Sequence, residues 1–277
     1  MHNKIYEKIK TFIKENYKFM LVLILLVVVF TYEFPYVVYT PGGIVNLEKR
    51  IDVDNKYDSE GSLNMSYVTL RKGNIPSILL SYIIKDWDLL KESEVTIDDE
   101  SVDELLKLEK LYMTSSIDNA TILAYQKAGK KIEIKKNINN VIYIDDNAKT
   151  DIEIYDQIIS VDGKEINEIK DLQDYIKTKN ENDTVYFKVK NNNKEKTRKA
   201  QVVKIGDELK VGIAFLTTYD YDTDPKIEVK TKSSESGSSG GLMLSLAIYN
   251  AITKEDITKG KTIVGTGTID INGNVGK

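Results

Sequence analysis

The distribution of apolar and polar residues first separates a long apolar stretch near the N-terminus from everything that follows. Residues 1–18 are rich in lysine, and residues 19–32 form an uncharged, largely apolar run. A buried core helix would show polar residues at helical spacing, and there are none between Phe19 and Phe30. A cleaved signal peptide would end at a small-x-small site, whereas bulky aromatic and β-branched residues follow here. We therefore expect a basic cytoplasmic head over residues 1–18 and a retained transmembrane anchor over residues 19–36.

The charges on either side of this run predict its orientation. Lysines precede it, Glu33 follows it, and the aromatic residues after it would lie at a membrane interface. Because cytoplasmic flanks carry the excess of positive charge, we expect a single-pass protein of the cell membrane with a cytoplasmic N-terminus. The main body of the chain is then extracellular.

Residues 40–130 alternate between strand-like and helix-like patterns. Residues 62–73 alternate apolar and polar positions, which predicts a strand, and residues 75–90 form an apolar stretch that we expect to be helical. Residues 101–129 are acidic near their start and end on glycine, which is typical of a helix. We expect an extracellular N-terminal region here, which either stands alone or supplies the first part of the fold that ends the chain.

Residues 131–206 have a different pattern, in which short β-type runs surround one helix-like segment at residues 169–178. Asp162 and Gly163 form a tight-turn signal between two apolar runs. The pattern predicts a small, β-rich α+β domain, and spacing alone does not separate a sandwich from a barrel.

Residues 207–277 combine a serine- and glycine-rich loop with an apolar helix and a hairpin. The loop occupies residues 233–241, residues 242–252 form the helical stretch, and Asn272-Gly273 forms the hairpin tip. An isolated run of serine and glycine is usually a flexible linker. Here the loop leads directly into the helix, and a serine at a helix start faces unpaired N–H groups that can stabilise an oxyanion.

The composition restricts the chemistry that such a serine could take part in. The 277 residues include no cysteine and a single histidine, His2. These counts exclude a cysteine nucleophile, a thiolate metal site, a Ser-His-Asp triad and a histidine-based zinc site. A base near neutral pH would have to be Lys, Asp, Glu or Tyr, and a desolvated lysine could take the serine proton. We expect no metal and no cofactor, and the net charge of −4 offers no basic field for nucleic acid.

The loop, the helix and the hairpin together resemble the serine peptidase domain of the Lon family. The resemblance implies that Ser239 is the catalytic nucleophile, in a loop framed by Gly237, Gly240 and Gly241. Two positions depart from the family's loop, because Ser238 and Gly240 stand where the family usually has proline and alanine. The segments that carry the resemblance are Gly237-Ser238-Ser239-Gly240-Gly241, LMLSLAIYN at residues 242–250, and GTGTIDINGNVG at residues 265–276.

The rest of the chain is similar to one branch of that family, the membrane-anchored Lon-like proteases of Gram-positive bacteria that carry a PDZ domain. Taken together, the resemblance covers residues 19–277. The segments similar to this branch are residues 34–47, 61–75, 113–130 and 152–163.

The last of these segments resembles the PDZ pattern L-x-x-G-D-x-I-x-x-V-D-G, with two departures. Tyr155 replaces the glycine before Asp156, and Asp146-Asn147-Ala148 replaces the usual Ser-Pro-Ala. Both departures put peptide capture by this domain in question.

The resemblance implies an α+β fold with an N-terminal transmembrane helix, a PDZ-like domain at residues 131–206 and a Lon-type peptidase domain at residues 207–277. It implies an ATP-independent serine endopeptidase of the cell surface, which works by a Ser-Lys dyad and receives substrate from the PDZ module. Position 255 is glutamate where a phosphate-binding loop would need glycine, in keeping with ATP independence.

The lysine of the dyad is missing from the sequence. In the family it lies about 45 residues after the nucleophile, which is near position 284 here. Lys277 stands where the family usually has proline, and we do not assign it this role. We therefore expect a peptidase domain truncated at its C-terminal end, in a fragment of a longer protein.

A non-catalytic, membrane-anchored PDZ scaffold that binds peptides is the alternative, with the serine-rich loop as a mere connection. A lysine near position 284 on an apolar helix would distinguish the enzyme from the scaffold. We expect a peptide or exported protein as substrate, the membrane as a partner and no nucleic acid. The sequence leaves the oligomeric state, the cleavage preference and the PDZ ligand open.

Overall fold

The computed structural model describes residues 2–96 and 101–276. They lie within two compact units, one at residues 1–43 and 67–105 and the other at residues 44–66 and 106–277. The helices are α1 His2–Thr31, α2 Ile75–Ser81, α3 Glu92–Val95, α4 Val102–Lys127, α5 Ile169–Ile176 and α6 Gly241–Ile252. The strands are β1 Phe34–Asn46, β2 Ile51–Val53, β3 Ser62–Gly73, β4 Asp88–Lys91, β5 Lys131–Ile144, β6 Gln157–Val161, β7 Lys164–Glu165, β8 Thr184–Asn191, β9 Lys194–Gln201, β10 Val203–Ile205, β11 Glu208–Lys210, β12 Ile213–Asp224, β13 Ile227–Val229, β14 Thr262–Gly265, β15 Thr268–Ile269 and β16 Val275–Gly276.

In the first unit, the N-terminal helix ends earlier than the anchor that we expected. α1 ends at Thr31, and residues 34–36 belong to β1. Pro35 cannot continue a helix, and the tyrosines and valines after it favour extended backbone. The apolar side chains of α1 between Phe19 and Phe30 are mostly exposed. Among the described residues, no helix is both long and apolar enough to pass through a membrane.

The single helix expected over residues 75–90 is wrong beyond Ser81. α2 ends there, a turn follows, and the chain continues into β4, which pairs antiparallel with β1 and sets Leu89 opposite Val38. Periodicity cannot distinguish a short apolar strand from a helix, so the sheet partner decides. The strand at residues 62–73 and the helix within residues 101–129 are confirmed as β3 and α4.

The second unit contains an apolar core built from segments far apart in the chain. β14 runs parallel to β3, with Val264 opposite Asn64, and β13 pairs antiparallel with β2. Residues 131–224 therefore leave this core after α4 and return to it at β13. The core packs α4 against α6 and the strand segments through Leu47, Ile51, Val53, Leu63, Ala120, Leu123, Ala124, Tyr125, Met243, Leu244, Ala247, Ile248, Ala251, Ile252 and Ile269.

The inserted residues form a second core around a mainly antiparallel sheet. Its strand order is β12-β5-β6-β8-β9, with β7 paired to β6. α5 covers the sheet and buries Leu172 and Ile176. The tight turn expected at Asp162 and Gly163 is confirmed, because both residues have positive φ angles, 46° and 81°.

A polar seam joins α4 to β12. Ser115 Oγ donates to the carbonyl of Thr217 over 2.9 Å, Tyr219 N donates to the Asp118 carboxylate over 2.9 Å, and Tyr125 Oη donates to the carbonyl of Pro225 over 2.6 Å. Ser115 and Asp118 lie one turn apart on the helix and Thr217 and Tyr219 two residues apart on the strand, so both pairs face each other, and the Tyr125 bond lies just after the end of β12. Asp118 is 7% exposed, and burial raises its pKa to about 6.

We expect the seam to make stability depend on pH. Because the pKa of Asp118 in the folded state, about 6, is higher than its ordinary value of 3.8, the free energy of unfolding falls as pH rises from about 3 to about 7. Asp118→Asn should remove about 3 kcal/mol of this fall. Urea denaturation at a series of pH values across this range measures the free energy of unfolding. Asp207→Asn, at an exposed turn, is the control, and equal pH profiles for wild type and Asp118→Asn would refute the assignment.

Candidate functional site

Ser239, the residue expected to act as nucleophile, is exposed on the loop immediately before α6. Among the described residues, its hydroxyl has no hydrogen-bond partner. The side chain is therefore available to a molecule that approaches from solvent.

The backbone on both sides of the Ser239 side chain is held in place. The carbonyl of Ser239 accepts hydrogen bonds from Gly267 N at 2.6 Å and from Thr266 Oγ1 at 2.8 Å. The carbonyl of Ser238 accepts a hydrogen bond from Ser116 Oγ of α4 at 2.9 Å. A free linker would lack such bonds, so the serine-rich segment is a braced loop.

The three framing glycines lie where the loop meets its surroundings. A Cβ on Gly240 would lie 2.2 Å from the sulfur of Met65, and one on Gly241 would lie 2.5 Å from Ser116 Oγ. Gly237 has a φ of +96°, a conformation that other residues rarely adopt. Glycine at these positions lets the loop lie directly against β3 and α4.

Some N–H groups at the start of α6 are already engaged. Gly241 N donates to the carbonyl of Ser238 at 3.2 Å, and Leu242 N donates to the carbonyl of Gly267 at 3.0 Å. In the described part of the chain, the N–H groups of Ser239 and Gly240 have no acceptor. These two groups, at the positive end of the helix dipole, could stabilise an anion beside the serine.

Sequence reasoning missed the residues of α4 that line this loop. The carbonyl of Glu109 accepts a hydrogen bond from Gly237 N at 2.9 Å, and a Glu109 carboxylate oxygen lies 3.2 Å from where a Gly237 Cβ would be. Burial raises the pKa of Glu109, and burial followed by the Glu109 charge raises the pKa of Tyr112. Glu109 and Ser116 stand in an ordinary helical pattern, so nothing in the sequence connects them with the loop. Lys277 lies outside the described residues.

In the inserted domain, Asp156 is the aspartate of the motif at residues 152–163, and it is buried. Asp156 is fully buried and accepts hydrogen bonds from Glu153 N at 2.9 Å, Asn191 Nδ2 at 2.7 Å and Arg198 Nε at 3.1 Å. Tyr155, in place of the usual glycine, has a φ of +70°, so the backbone retains the conformation that glycine adopts freely.

The two edges of the inserted sheet differ in chemistry. β9, at one edge, is dominated by charged residues, which discourage the addition of a further strand. β12, at the other edge, begins with Ile213 and Phe215, which pack against the same core as α5. Gly212 precedes them with a φ of +71°, and a Cβ there would lie 2.6 Å from Ala148 Cβ. The apolar start of β12 is therefore the edge that suits a peptide added as an extra strand.

Comparison with known proteins identifies this domain. Residues 135–202 match the PDZ domain family model. The PDZ domain of an SdrC-like protein from Listeria monocytogenes is a structural neighbour with 19% sequence identity and a TM-score of 0.28, and the match covers 30% of this chain and 93% of that one. No curated protein sequence matches the chain. The chain thus contains a PDZ domain. β12, which lies after the residues 131–206 expected for this domain, belongs to the same sheet.

We expect the left-handed backbone at Tyr155 to reverse the usual stability order of valine and glycine in a β-rich domain. Tyr155→Val should be less stable than Tyr155→Gly by about 1–2 kcal/mol, because β-branched residues are strained at positive φ. Thermal or urea denaturation of the two variants measures the difference. At Tyr186, an exposed position on β8, the same pair of substitutions should show the opposite order. If the valine and glycine variants had the same order of stability at both positions, the expectation would be contradicted.

Proposed function

We propose that the chain is a serine endopeptidase of the Lon-like type, with Ser239 as nucleophile and the PDZ domain as the module that recruits the peptide. The observation that carries the proposal is the exposed Ser239 hydroxyl on a loop braced on both sides. A connecting loop needs neither the bracing nor the glycines that allow it. The resemblance of this loop, helix and hairpin to the Lon peptidase domain supports the same role.

In the proposed reaction, Ser239 Oγ forms a bond to the carbonyl carbon of the scissile peptide while its proton passes to a lysine. The C–N bond then breaks, and the leaving amine takes that proton. Water hydrolyses the acyl-enzyme by the same sequence in reverse. The N–H groups of Ser239 and Gly240 would stabilise the oxyanion. The resemblance to the Lon family implies a lysine for this role near position 284.

The PDZ domain indicates which class of substrate the proposed peptidase would cleave. PDZ domains bind extended peptides as an added strand, with main-chain hydrogen bonds for affinity and pockets for side chains. The apolar edge of β12 suits this mode. Because the sequence has no phosphate-binding loop, substrates would be peptides or flexible segments of exported proteins that need no ATP-driven unfolding.

We also propose that α1 holds the protein at the cell membrane, with the N-terminus in the cytoplasm and the main body outside. The support is the exposed apolar surface between Phe19 and Phe30, together with the lysines that precede it. Water disfavours such a surface, and a bilayer would cover it.

The nucleophile is tested on the full-length protein with a fluorophosphonate probe and a peptide-cleavage assay. Ser239→Ala should abolish both labelling and cleavage, because the attacking oxygen is lost. Ser238→Ala is the matched control, since this neighbouring hydroxyl is not assigned to the chemistry, and labelling should persist. Equal labelling of wild type and Ser239→Ala would reject the nucleophile. Wild type that binds peptides but neither labels nor cleaves would favour the scaffold.

The peptide edge is tested by fluorescence polarisation with a degenerate library of labelled apolar decapeptides. Ile213→Asp should raise the Kd at least tenfold, because a charge would replace an apolar contact beside the added strand. Thr197→Asp, on the charged edge at β9, should leave the Kd unchanged. Thermal denaturation establishes that both variants fold. An unchanged Kd for folded Ile213→Asp would remove β12 as the binding edge.

A further inference from the structure

A second exposed apolar surface lies in the first unit, at the end of α2 and in the turn that follows it. Four large apolar side chains within five positions are strongly exposed: Leu79 at 59%, Leu80 at 40%, Tyr82 at 78% and Ile83 at 78%. Single exposed apolar residues are common on protein surfaces, whereas a contiguous group of this kind marks an interaction site. We call residues 79–87 the apolar turn.

The apolar turn is an ordered element. α2 begins with a reciprocal cap, in which Ser77 N donates to Asn74 Oδ1 at 3.0 Å and Asn74 N donates to Ser77 Oγ at 2.9 Å. After α2, Ile84 N donates to the carbonyl of Leu80 at 2.8 Å, and Trp87 N donates to the carbonyl of Ile84 at 3.1 Å. The backbone is therefore defined by its own hydrogen bonds, although α2 buries none of its residues.

The fold brings the start of α2 next to the end of α1. Asn74 Nδ2 donates a hydrogen bond to the carbonyl of Phe30 at 2.8 Å. Phe30 is the last residue of the apolar run whose side chains are mostly exposed along α1. The helix that leads into the apolar turn therefore starts beside the end of the exposed apolar surface of α1, in the same unit.

The end of α1 and the apolar turn both carry residues that are typical of a membrane interface. Tyr32 follows the apolar run of α1 and is 56% exposed, and the apolar turn contains Tyr82, Trp87 and the exposed Lys85. Tyrosine and tryptophan concentrate at the level of the lipid headgroups, where one part of the ring is apolar and the other is hydrated. Lysine beside them can reach the headgroups while its stem stays in apolar surroundings.

We propose that the apolar turn lies in the interfacial layer of the lipid bilayer, beside the end of α1, as a second membrane contact of the first unit. The proposal rests on the insertion of α1 proposed above and not on the peptidase reaction. A bilayer is the occupant that covers both surfaces, since the Asn74–Phe30 hydrogen bond holds the start of α2, which leads into the apolar turn, beside the end of α1. A protein partner bound to the turn alone would leave the surface of α1 exposed.

The test uses Trp87, the only tryptophan among the 277 residues, as a depth probe, with Trp87→Phe as the background. The full-length protein is reconstituted into phosphatidylcholine–phosphatidylglycerol vesicles that contain lipids brominated at either shallow or deep acyl positions. We expect the vesicles to carry the protein on flotation, and shallow bromines to quench Trp87 fluorescence at least twofold more than deep ones. Floated protein whose Trp87 is quenched by neither lipid would overturn the interfacial contact alone. Protein that does not float would overturn the insertion of α1 as well.

A substitution in the apolar turn tests its contact with the bilayer independently of the insertion of α1. Ile83→Asp should lower the quenching by shallow bromines at least twofold, because a carboxylate opposes entry into the interface. Tyr186→Asp, at a similarly exposed aromatic residue of the PDZ domain, should leave the quenching as in wild type. Unchanged quenching in Ile83→Asp would contradict the proposal. Fluorophosphonate labelling of Ser239 in the same samples reports on the peptidase separately.

Discussion

The packing of α4 against α6 is the interaction on which the second unit depends. Together with short strands from residues 44–66 and 227–265, these helices bury the apolar core, and each fully buried apolar side chain contributes about 1.5–3 kcal/mol. The same packing brings Ser116 of α4 within hydrogen-bond distance of the loop before α6. The other side of α4 binds β12 through the polar seam. One helix therefore supports both the serine loop and the strand that leads into the PDZ domain.

The serine loop shows how a flexible sequence becomes a defined structure. Its serines and glycines have little apolar surface of their own, so its order comes from hydrogen bonds to carbonyls on either side of the Ser239 side chain. Small residues allow α4 and β3 to approach closely enough to make these bonds. The result is an exposed hydroxyl in a fixed setting, which an attacking nucleophile requires.

In the PDZ domain, the motif is formed by residues close together in sequence, whereas the proposed binding edge depends on strands far apart in sequence. The aspartate of the motif and the turn at Asp162 and Gly163 follow from short-range patterns, and both stand where those patterns placed them. Even the tyrosine at position 155 keeps the left-handed backbone of the glycine it replaces. The identity of β12 as the apolar edge depends on pairing with β5, about 70 to 90 residues away, which no local pattern reveals.

The sequence by itself determined the elements with strong periodicity or turn chemistry: β3, α4, β6 and β8 of the PDZ domain, α6 and the approximate place of the serine loop. It did not determine the end of α1, the break after Ser81 or the roles of Glu109, Ser116 and Thr266. These were decided by tertiary structure, because strand pairing overrides local apolar patterns and because hydrogen-bond partners of a loop lie far away in the chain. The sequence left open whether the residues before the PDZ domain belong to the fold that ends the chain, and the parallel pairing of β3 with β14, about 200 residues away, joins the two.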